Sequence, residues 1–238
     1  MVTMSELVIN IENIKKRIQD AALRVGRNPE KIKLVAVTKT VEIDVMKNSI
    51  LEGISCVGEN NVQEIERKYS SFDQIQYKNI EWHMIGHLQT NKVKYIIDKV
   101  HMIHSVDRYK LALEINKQAQ KCNKIVDILV QVNISGEKSK FGVNSEECET
   151  VLREIALLKN LKVRGLMTMA PFSQESEQIR PVFQKLKHLS IDITDKNIDN
   201  IHMDYLSMGM TGDFEVAIEE GANIVRIGRG IFGKRIVQ

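Results

Sequence analysis

Two kinds of hydrophobic pattern alternate along the chain. Short apolar runs rich in β-branched residues are typical of buried parallel strands, and longer segments with apolar residues every three or four positions are typical of amphipathic helices. The predicted strands are 33–39, 56–60, 81–86, 102–106, 127–133, 163–169, 202–209 and 223–228. This alternation predicts an α/β fold with a parallel sheet.

The predicted helices fall between these strands, with one more in front of them. They are 6–24, 61–69, 89–99, 108–122, 144–158, 176–188 and 212–220. Eight strand–helix units in 238 residues come close to the roughly 250 residues of a closed (β/α)8 TIM barrel, which we favour over an open doubly wound sheet. No Pro-, Gly- or Ser-rich linker divides the chain. We therefore expect one barrel domain over residues 1–238, with an extra N-terminal helix.

The end of the first strand carries the first candidate residue. Strands of a closed barrel deliver functional side chains to the rim at their C-terminal ends. In the run Lys-Leu-Val-Ala-Val-Thr-Lys, Lys39 shares a strand face with Val35 and Val37. If that face points into the barrel, Lys39 lies at the rim, where partial desolvation makes an amine easier to deprotonate and able to attack a carbonyl. A strand-end lysine that simply reaches solvent is the alternative.

Two glycine-containing stretches near the C-terminus form the second candidate. They are Leu-Ser-Met-Gly-Met-Thr-Gly-Asp (206–213) and Val-Arg-Ile-Gly-Arg-Gly-Ile-Phe-Gly (225–233). Glycines let backbone N–H groups approach an anion, and Ser207 and Thr211 add hydroxyls near a predicted helix start. Loops after strands seven and eight commonly bind phosphate in barrels. The alternative is that the glycines only make turns and Thr211 only caps a helix.

Two other motifs do not support the functions they suggest. The spacing G-x-G-x-x-G at 228–233 lacks the helix, strand and acidic residue that must follow it in a dinucleotide site. His83 and His87 are four residues apart, but Met84 stands where a zinc protease has glutamate, and His83 is predicted in a strand. We therefore expect no metal site.

Composition narrows the class of protein without identifying it. Lys and Arg number 34 against 31 Asp and Glu, so the net charge is +3, and no dense basic run indicates a nucleic-acid or membrane partner. Cys56, Cys122 and Cys148 show no metal-binding or disulfide spacing. The N-terminus does not resemble a secretory signal, and no window approaches the length of a membrane span. These features predict a soluble cytoplasmic protein.

Six segments together resemble the pyridoxal phosphate homeostasis protein family. They are 33–39, Gly-Glu-Asn-Asn-Val-Gln-Glu (58–64), Trp-His-Met-Ile-Gly-His-Leu-Gln-Thr-Asn-Lys (82–92), Gln-Val-Asn-Ile-Ser (131–135), 206–213 and 225–233. Their order and spacing match across essentially the whole chain. The resemblance implies the barrel of alanine racemase and related fold-type III enzymes, and a pyridoxal 5′-phosphate-binding protein without an established catalytic activity.

The resemblance also implies roles for particular residues. Lys39 is the expected Schiff-base lysine, and Arg226 the expected partner of the pyridine nitrogen. Ser207 and the backbone of Gly228 and Arg229 are expected phosphate ligands. Asn60 and Thr211 are expected neighbours of the cofactor. Thr211 replaces a serine common among relatives and Arg229 a small residue, but a hydroxyl and a backbone donor remain at these positions.

Two enzyme classes remain as alternatives. A racemase or decarboxylase of the same fold type would normally use a second, β-rich domain, for which we expect no residues after the barrel. A Schiff-base aldolase usually has its lysine on a later strand. The leading interpretation is therefore a non-catalytic, monomeric protein of vitamin B6 homeostasis, with apo-enzymes as possible recipients of the cofactor.

Overall fold

Eight parallel strands close into a barrel in this computed structural model, which describes residues 2–72, 77–137, 140–171, 173 and 175–233. The strands are β1 Lys33–Val37, β2 Cys56–Glu59, β3 Glu81–Met84, β4 Met102–Val106, β5 Val126–Asn133, β6 Val143–Asn144, β7 Leu161–Met167, β8 Ile201–Ser207 and β9 Ile224–Ile227. The barrel order is β4–β3–β2–β1–β9–β8–β7–β5, and pairing of β4 with β5 closes it. The short β6 pairs with the end of β5. The predicted (β/α)8 barrel is confirmed.

Helices connect these strands and cover the barrel. The α-helices are α1 Met4–Arg24, α2 Ile43–Leu51, α3 Val62–Tyr69, α4 Tyr109–Lys121, α5 Cys148–Ala156, α6 Arg180–Asp195, α7 Phe214–Glu219 and α8 Arg229–Phe232. Short 3-10 helices are Pro29–Lys31, Thr90–Tyr95, Ser145–Glu147 and Ser176–Ile179. Among the helices described, none has both the length and the apolar character that crossing a membrane requires.

The N-terminal helix α1 is held to the barrel wall by one apolar stripe. Thr3 caps it, because its side chain accepts a hydrogen bond from the Glu6 N–H while Glu6 accepts one from the Thr3 N–H. Apolar residues at helical spacing are buried at Leu7, Ile11 and Ile14. The helix packs against α2, α7 and α8, and so covers the barrel wall next to the loops that follow β8 and β9.

The barrel interior contains an apolar layer and a column of polar side chains. Val35, Cys56, Ile85, Met102, Leu129, Met167 and Ile224 form the apolar layer, with Val37 and Tyr205 packed against it. The face of β1 that carries Val35 and Val37 therefore points inward, as the sequence analysis required. Buried polar residues share this interior at His83, His104, Gln131, Ser207 and Arg226.

The structure corrects several predicted boundaries. Lys39, Asn60, Gly86, Met169, Gly209 and Gly228 lie just after their strands instead of closing them. At β1 the ladder continues for one more bond, from the Thr38 N–H to the Gly58 carbonyl, and the chain then turns through Thr40 with φ 63°. Region 89–99 contains a short 3-10 helix instead of the predicted α-helix. Helix α2 was not delimited from the sequence.

Gly165 allows β7 and β8 to approach closely, and this gives a stability prediction. Its φ is 151°, and an added Cβ would lie 1.9 Å from the carbonyl oxygen of Tyr205. Gly165→Ala should therefore lower the free energy of unfolding by about 2–4 kcal/mol, because the clash is with backbone. Urea denaturation measures this change. The control is Gly212→Ala, where no atom lies within 4 Å of the added Cβ and a change within about 0.5 kcal/mol is expected. Equal stability of the two variants would contradict the prediction.

Candidate functional site

All seven residues expected at a cofactor site lie at one side of the rim. Asn60 follows β2, Lys39 follows β1, Arg226 lies in β9, and Ser207 ends β8. Gly228 and Arg229 follow β9, and Thr211 follows β8. Because β2, β1, β9 and β8 are consecutive neighbours in the barrel, their C-terminal ends are adjacent. The structure thus brings together residues that are up to 190 positions apart in the sequence.

Lys39 and Asn60 line the same cavity at the rim. The cavity has a volume of about 710 Å³. His87, Gln89 and Lys92 also line it. Lys39 is half-buried, as expected for a lysine at the rim instead of one extended into solvent. The cavity thus gives a small ligand access to the Lys39 side of the rim.

A buried lysine on α3 fixes the backbone immediately before Lys39. Lys68 has no exposed surface, and its Nζ donates to the Thr38 carbonyl oxygen and to Glu59 Oε1, both at 2.7 Å. Thr38 Oγ1 also donates to Glu59 Oε1, at 2.6 Å. We call Thr38, Glu59, Glu64 and Lys68 the lysine clamp. It ties α3 and the end of β2 to the loop that carries Lys39.

Glu64 extends the lysine clamp to the other side of Lys39. Its Oε2 pairs with Lys68 Nζ at 2.8 Å, and its carboxylate accepts a hydrogen bond from the Thr40 backbone. Thr40 is a β-branched residue at φ 63°, a conformation that costs about 1–3 kcal/mol and persists only where surrounding contacts impose it. The clamp provides those contacts, and it thereby fixes the direction in which Lys39 leaves the chain.

The two carboxylates of the lysine clamp have opposite pKa shifts. Burial raises the pKa of Glu59, and the nearby Lys68 charge only partly offsets this effect. Burial also acts to raise the pKa of Glu64, but the hydrogen bond and charge of Lys68 outweigh it and hold that pKa below its usual value. Lys68 is therefore the counter-charge that keeps Glu64 ionised beside Lys39.

The loops after β8 and β9 are joined by a side-chain hydrogen bond. The Gly230 N–H donates to Thr211 Oγ1 at 3.2 Å. Gly228 lies against β1, because a Cβ added to it would lie 3.4 Å from both Cβ and the carbonyl oxygen of Val37. Since Val37 precedes Lys39 by two residues, the loops and the lysine flank the same part of the rim. These loops offer N–H and hydroxyl donors to an anion.

Arg226 lies below these loops and is nearly inaccessible. It is 4% exposed, and its Nη2 donates to the Thr168 carbonyl oxygen at 3.0 Å. Burial lowers the pKa of its guanidinium to about 10, which leaves it charged at neutral pH. Its nearest acidic influence is Asp213, at the start of α7. Ser207, by contrast with the other expected ligands, has no exposed surface at all.

A file of hydrogen-bonded polar side chains continues from Arg226 through the barrel interior. Arg226 Nη1 lies 2.6 Å from Ser207 Oγ, which lies 2.9 Å from His104 Nδ1. His104 Nε2 lies 2.9 Å from His83 Nδ1, and His83 Nε2 lies 3.1 Å from Glu81 Oε2. We call Arg226, Ser207, His104, His83 and Glu81 the interior chain. It connects the rim with the opposite end of the barrel.

The charges at the far end of the interior chain are paired. Lys33 Nζ lies 2.5 Å from Glu81 Oε2. The hydrogen bond from His83, followed by that from Lys33, lowers the pKa of Glu81 to about 2 despite partial burial. Burial lowers the pKa of His83, and burial together with the charges of His83 and Arg226 holds the pKa of His104 well below its usual value. The interior chain therefore has two neutral imidazoles between a guanidinium and a carboxylate.

The histidine geometry does not form the metal site that the His83 and His87 spacing might suggest. His87 Nδ1 instead faces Asp107 Oδ2 at 3.2 Å, and its ring stacks on Phe141. Cys56 and Glu81 do have ligand atoms within 4.8 Å of a His83 nitrogen. However, Lys33 already supplies the positive charge at Glu81, and burial raises the pKa of the Cys56 thiol, which disfavours the thiolate a metal needs.

Sequence comparison identifies the family to which this geometry belongs. The chain matches the family "Alanine racemase, N-terminal domain" over residues 9–235. A protein of Aquifex aeolicus named pyridoxal phosphate homeostasis protein is 44% identical over 225 residues, which are 94% of this chain and 96% of that protein. The chain belongs to the pyridoxal phosphate homeostasis protein family. The resemblance seen in the sequence is confirmed.

Two solved structures are similar to this member of the pyridoxal phosphate homeostasis protein family over nearly its full length. A protein from Bifidobacterium adolescentis is 31% identical with a TM-score of 0.92, and the match covers 98% of each chain. PipY of Synechococcus elongatus, with PLP bound, is 27% identical with a TM-score of 0.80, covering 92% of this chain and 100% of that chain. The barrel is therefore the fold shared with these proteins.

The lysine clamp and the interior chain were not found from the sequence. Lys68 follows Val62 and Ile65 at three-residue spacing, so its place on the buried face of α3 was a usable signal. His83 lies between Trp82 and Met84 in β3, and His104 follows Ile103 in β4. Strand alternation places them inside the barrel, but their contact depends on the pairing register of β3 with β4, which the sequence does not state.

The lysine clamp gives a prediction for stability. Lys68→Met should lower the free energy of unfolding by about 3–5 kcal/mol, because it leaves the Glu59 carboxylate buried without its counter-charge. Arg67→Met is the matched control on the same helix: Arg67 is 50% exposed and contacts Glu64 only at 3.4 Å, so a change within about 0.5 kcal/mol is expected. Urea denaturation of both variants makes the comparison. A loss below about 1 kcal/mol for Lys68→Met would mean that the clamp does not stabilise the loop.

Proposed function

We propose that the chain binds pyridoxal 5′-phosphate at this rim and holds it on Lys39, as a cytoplasmic protein of cofactor homeostasis and not as an enzyme. The observation that carries the proposal is the convergence of an amine, a guanidinium, hydroxyls and backbone N–H donors at four adjacent strand ends. An aldehyde, a pyridine nitrogen and a phosphate need these partners. The PLP-bound PipY structure supports the same ligand.

The residues at the rim fit this cofactor in donor type. The 710 Å³ cavity beside Lys39 and Asn60 lies in the volume range of small-molecule sites, and the expected phosphate and pyridine partners are outside its lining. When bound, pyridoxal phosphate supplies an aldehyde that condenses with amines and a ring that withdraws electrons. Lys39 provides the amine, and condensation with the aldehyde forms a covalent bond and releases water. The lysine clamp holds the Lys39 backbone, so that the amine is presented from a fixed position.

The loops after β8 and β9 bind the phosphate in this proposal. The Thr211 hydroxyl and the N–H groups of Gly228 and Arg229 are the donors, and Asn60 lies at the other side of the ligand. Ser207 belongs to the site through its hydrogen bond with Arg226, since its own side chain has no exposed surface. A side-chain change at 229 is tolerated, because the contact uses the backbone.

Arg226 gives the electrostatic reason for proposing binding without catalysis. A guanidinium donates hydrogen bonds and accepts none, so beside the pyridine nitrogen it favours the unprotonated ring. An unprotonated ring is a weaker electron sink for the reactions that pyridoxal phosphate supports. Arg226 is also held at its Nη1 and Nη2 atoms, by Ser207 and Thr168, which limits its ability to move away.

A fold-type III enzyme, either an amino-acid racemase or a decarboxylase, is the second candidate. Its support is the match to the family "Alanine racemase, N-terminal domain" over residues 9–235. The first proposal differs from it: there the protein is a monomer that releases the cofactor to recipient apo-enzymes. The two candidates differ in one measurable property, the turnover of amino acids.

The proposed attachment at Lys39 predicts a spectroscopic result. Pyridoxal phosphate added to the protein should acquire the visible absorption of a lysine-attached cofactor, and Lys39→Ala should abolish that absorption. Lys92→Ala is the matched control, since Lys92 lines the same cavity but is not the proposed attachment residue. Its spectrum should equal that of the unchanged protein. Retention of the band in Lys39→Ala, or its loss only in Lys92→Ala, would refute the assignment.

The second candidate is tested by exchange of the amino-acid α-proton. The loaded protein is incubated with individual L-amino acids in deuterated water, and exchange is followed by NMR. We expect rates within about tenfold of free pyridoxal phosphate, because a positioned general acid or base would add about 10²- to 10⁴-fold. Much faster exchange with one amino acid, abolished by Lys39→Ala, would establish an enzyme instead.

A further inference from the structure

The two ends of the interior chain determine the direction of its hydrogen bonds. Arg226 can only donate, so Ser207 Oγ accepts from it. At the other end, the ionised carboxylate of Glu81 can only accept, so His83 Nε2 must carry a proton. A neutral His83 then has an unprotonated Nδ1, which accepts from His104 Nε2. His104 Nδ1 accepts in turn from the Ser207 hydroxyl.

Two other arrangements satisfy all of these contacts, and each contains one imidazolium. In one, His83 is the imidazolium and His104 carries its proton on Nδ1; in the other, His104 is the imidazolium and donates from both ring nitrogens. In both, His104 Nδ1 donates to Ser207 Oγ and the Ser207 proton points elsewhere. Either arrangement adds a third cation, fully buried, to a column that already contains Lys33 and Arg226. Lys33 already lies against Glu81, so the carboxylate has no charge left unpaired. The cost of burying another charge disfavours the imidazolium.

The groups around the two imidazoles are consistent with the neutral arrangement. Lys33, Glu81 and His101 influence His83, while His83, Arg226 and Lys33 influence His104. Both rings are fully buried, and burial is the largest effect on each, in the direction that lowers its pKa. The interior chain is therefore directional: in each of its hydrogen bonds down to His83 the donor is the residue nearer the rim, and His83 donates to Glu81.

We propose that Glu81, His83 and His104 are positioning residues of the rim site, which act on Arg226 through Ser207. Because the Ser207 hydroxyl donates its hydrogen bond to His104, Ser207 Oγ can act towards Arg226 only as an acceptor. The acceptors at Ser207 and Thr168 fix the guanidinium plane, and the remaining guanidinium donors are left for a ligand at the rim. This role rests on the proposed binding of pyridoxal phosphate, but the direction of the chain does not.

The tautomers of the two imidazoles test the direction in the ligand-free protein. Long-range proton–nitrogen NMR of ¹⁵N-histidine protein should show His83 and His104 neutral, with Nε2 protonated and Nδ1 not, and His83→Gln and His104→Gln assign the signals. His101 is an internal reference, because its Nδ1 accepts from the Trp82 N–H at 3.0 Å independently of the chain. An imidazolium at His83, or a proton on His104 Nδ1, would overturn the proposal.

A double-mutant cycle tests whether the interior chain affects binding of the ligand. Glu81→Gln should weaken pyridoxal phosphate binding, measured by equilibrium dialysis, at least about threefold, and should cause no further loss in Ser207→Ala. Asp127→Asn is the control, since this carboxylate pairs with Arg164, which is not part of the interior chain. The positioning role would be refuted if Glu81→Gln left the affinity for pyridoxal phosphate unchanged. It would also be refuted if the double variant lost affinity by the product of the two single-variant losses. If the unchanged protein binds no pyridoxal phosphate, the proposed function fails, and the NMR result still decides the direction of the chain.

Discussion

Closure of the parallel barrel by pairing of β4 with β5 is the constraint on which the other features depend. In an open sheet the inward faces of distant strands would not meet. In a closed barrel they share one enclosed interior, and every polar group placed there must find a partner within it. The ends of β2, β1, β9 and β8 are neighbours because these strands are consecutive in the sheet. Strand order thus gathers the candidate ligand residues at the rim, and closure brings His104 of β4 to Ser207 of β8 within the interior chain.

Two buried polar networks support the site from different sides. The lysine clamp lies outside the barrel wall and fixes the backbone around Lys39, while the interior chain lies inside and ends at Arg226. Buried ion pairs contribute little net stability, because desolvation offsets much of the attraction. They do, however, penalise any arrangement that leaves one partner unpaired. Both networks therefore act mainly by permitting a single geometry at the two groups that would contact an aldehyde and a pyridine nitrogen.

Hydrophobic periodicity was sufficient to predict the barrel and the placement of Lys39 at its rim, since strand alternation is a local property. The exact strand ends were not predictable, because the turn after β1 depends on Glu64 supporting the Thr40 backbone, a contact between distant segments. The contact between His83 and His104 likewise required the register of β3 with β4. The resemblance to a family indicated which residues to expect at a ligand site, but it did not indicate what holds those residues in place.

Arg226 is the residue through which the interior chain reaches the rim. A buried guanidinium needs acceptors, and Ser207 and the Thr168 carbonyl oxygen provide them. A neutral or anionic partner at the pyridine nitrogen would favour a stronger electron sink, whereas a fixed cation that only donates favours a weaker one. The interior chain makes that cation difficult to displace. Under the proposed function, a site built in this way would favour retention of the reactive cofactor over its use in catalysis.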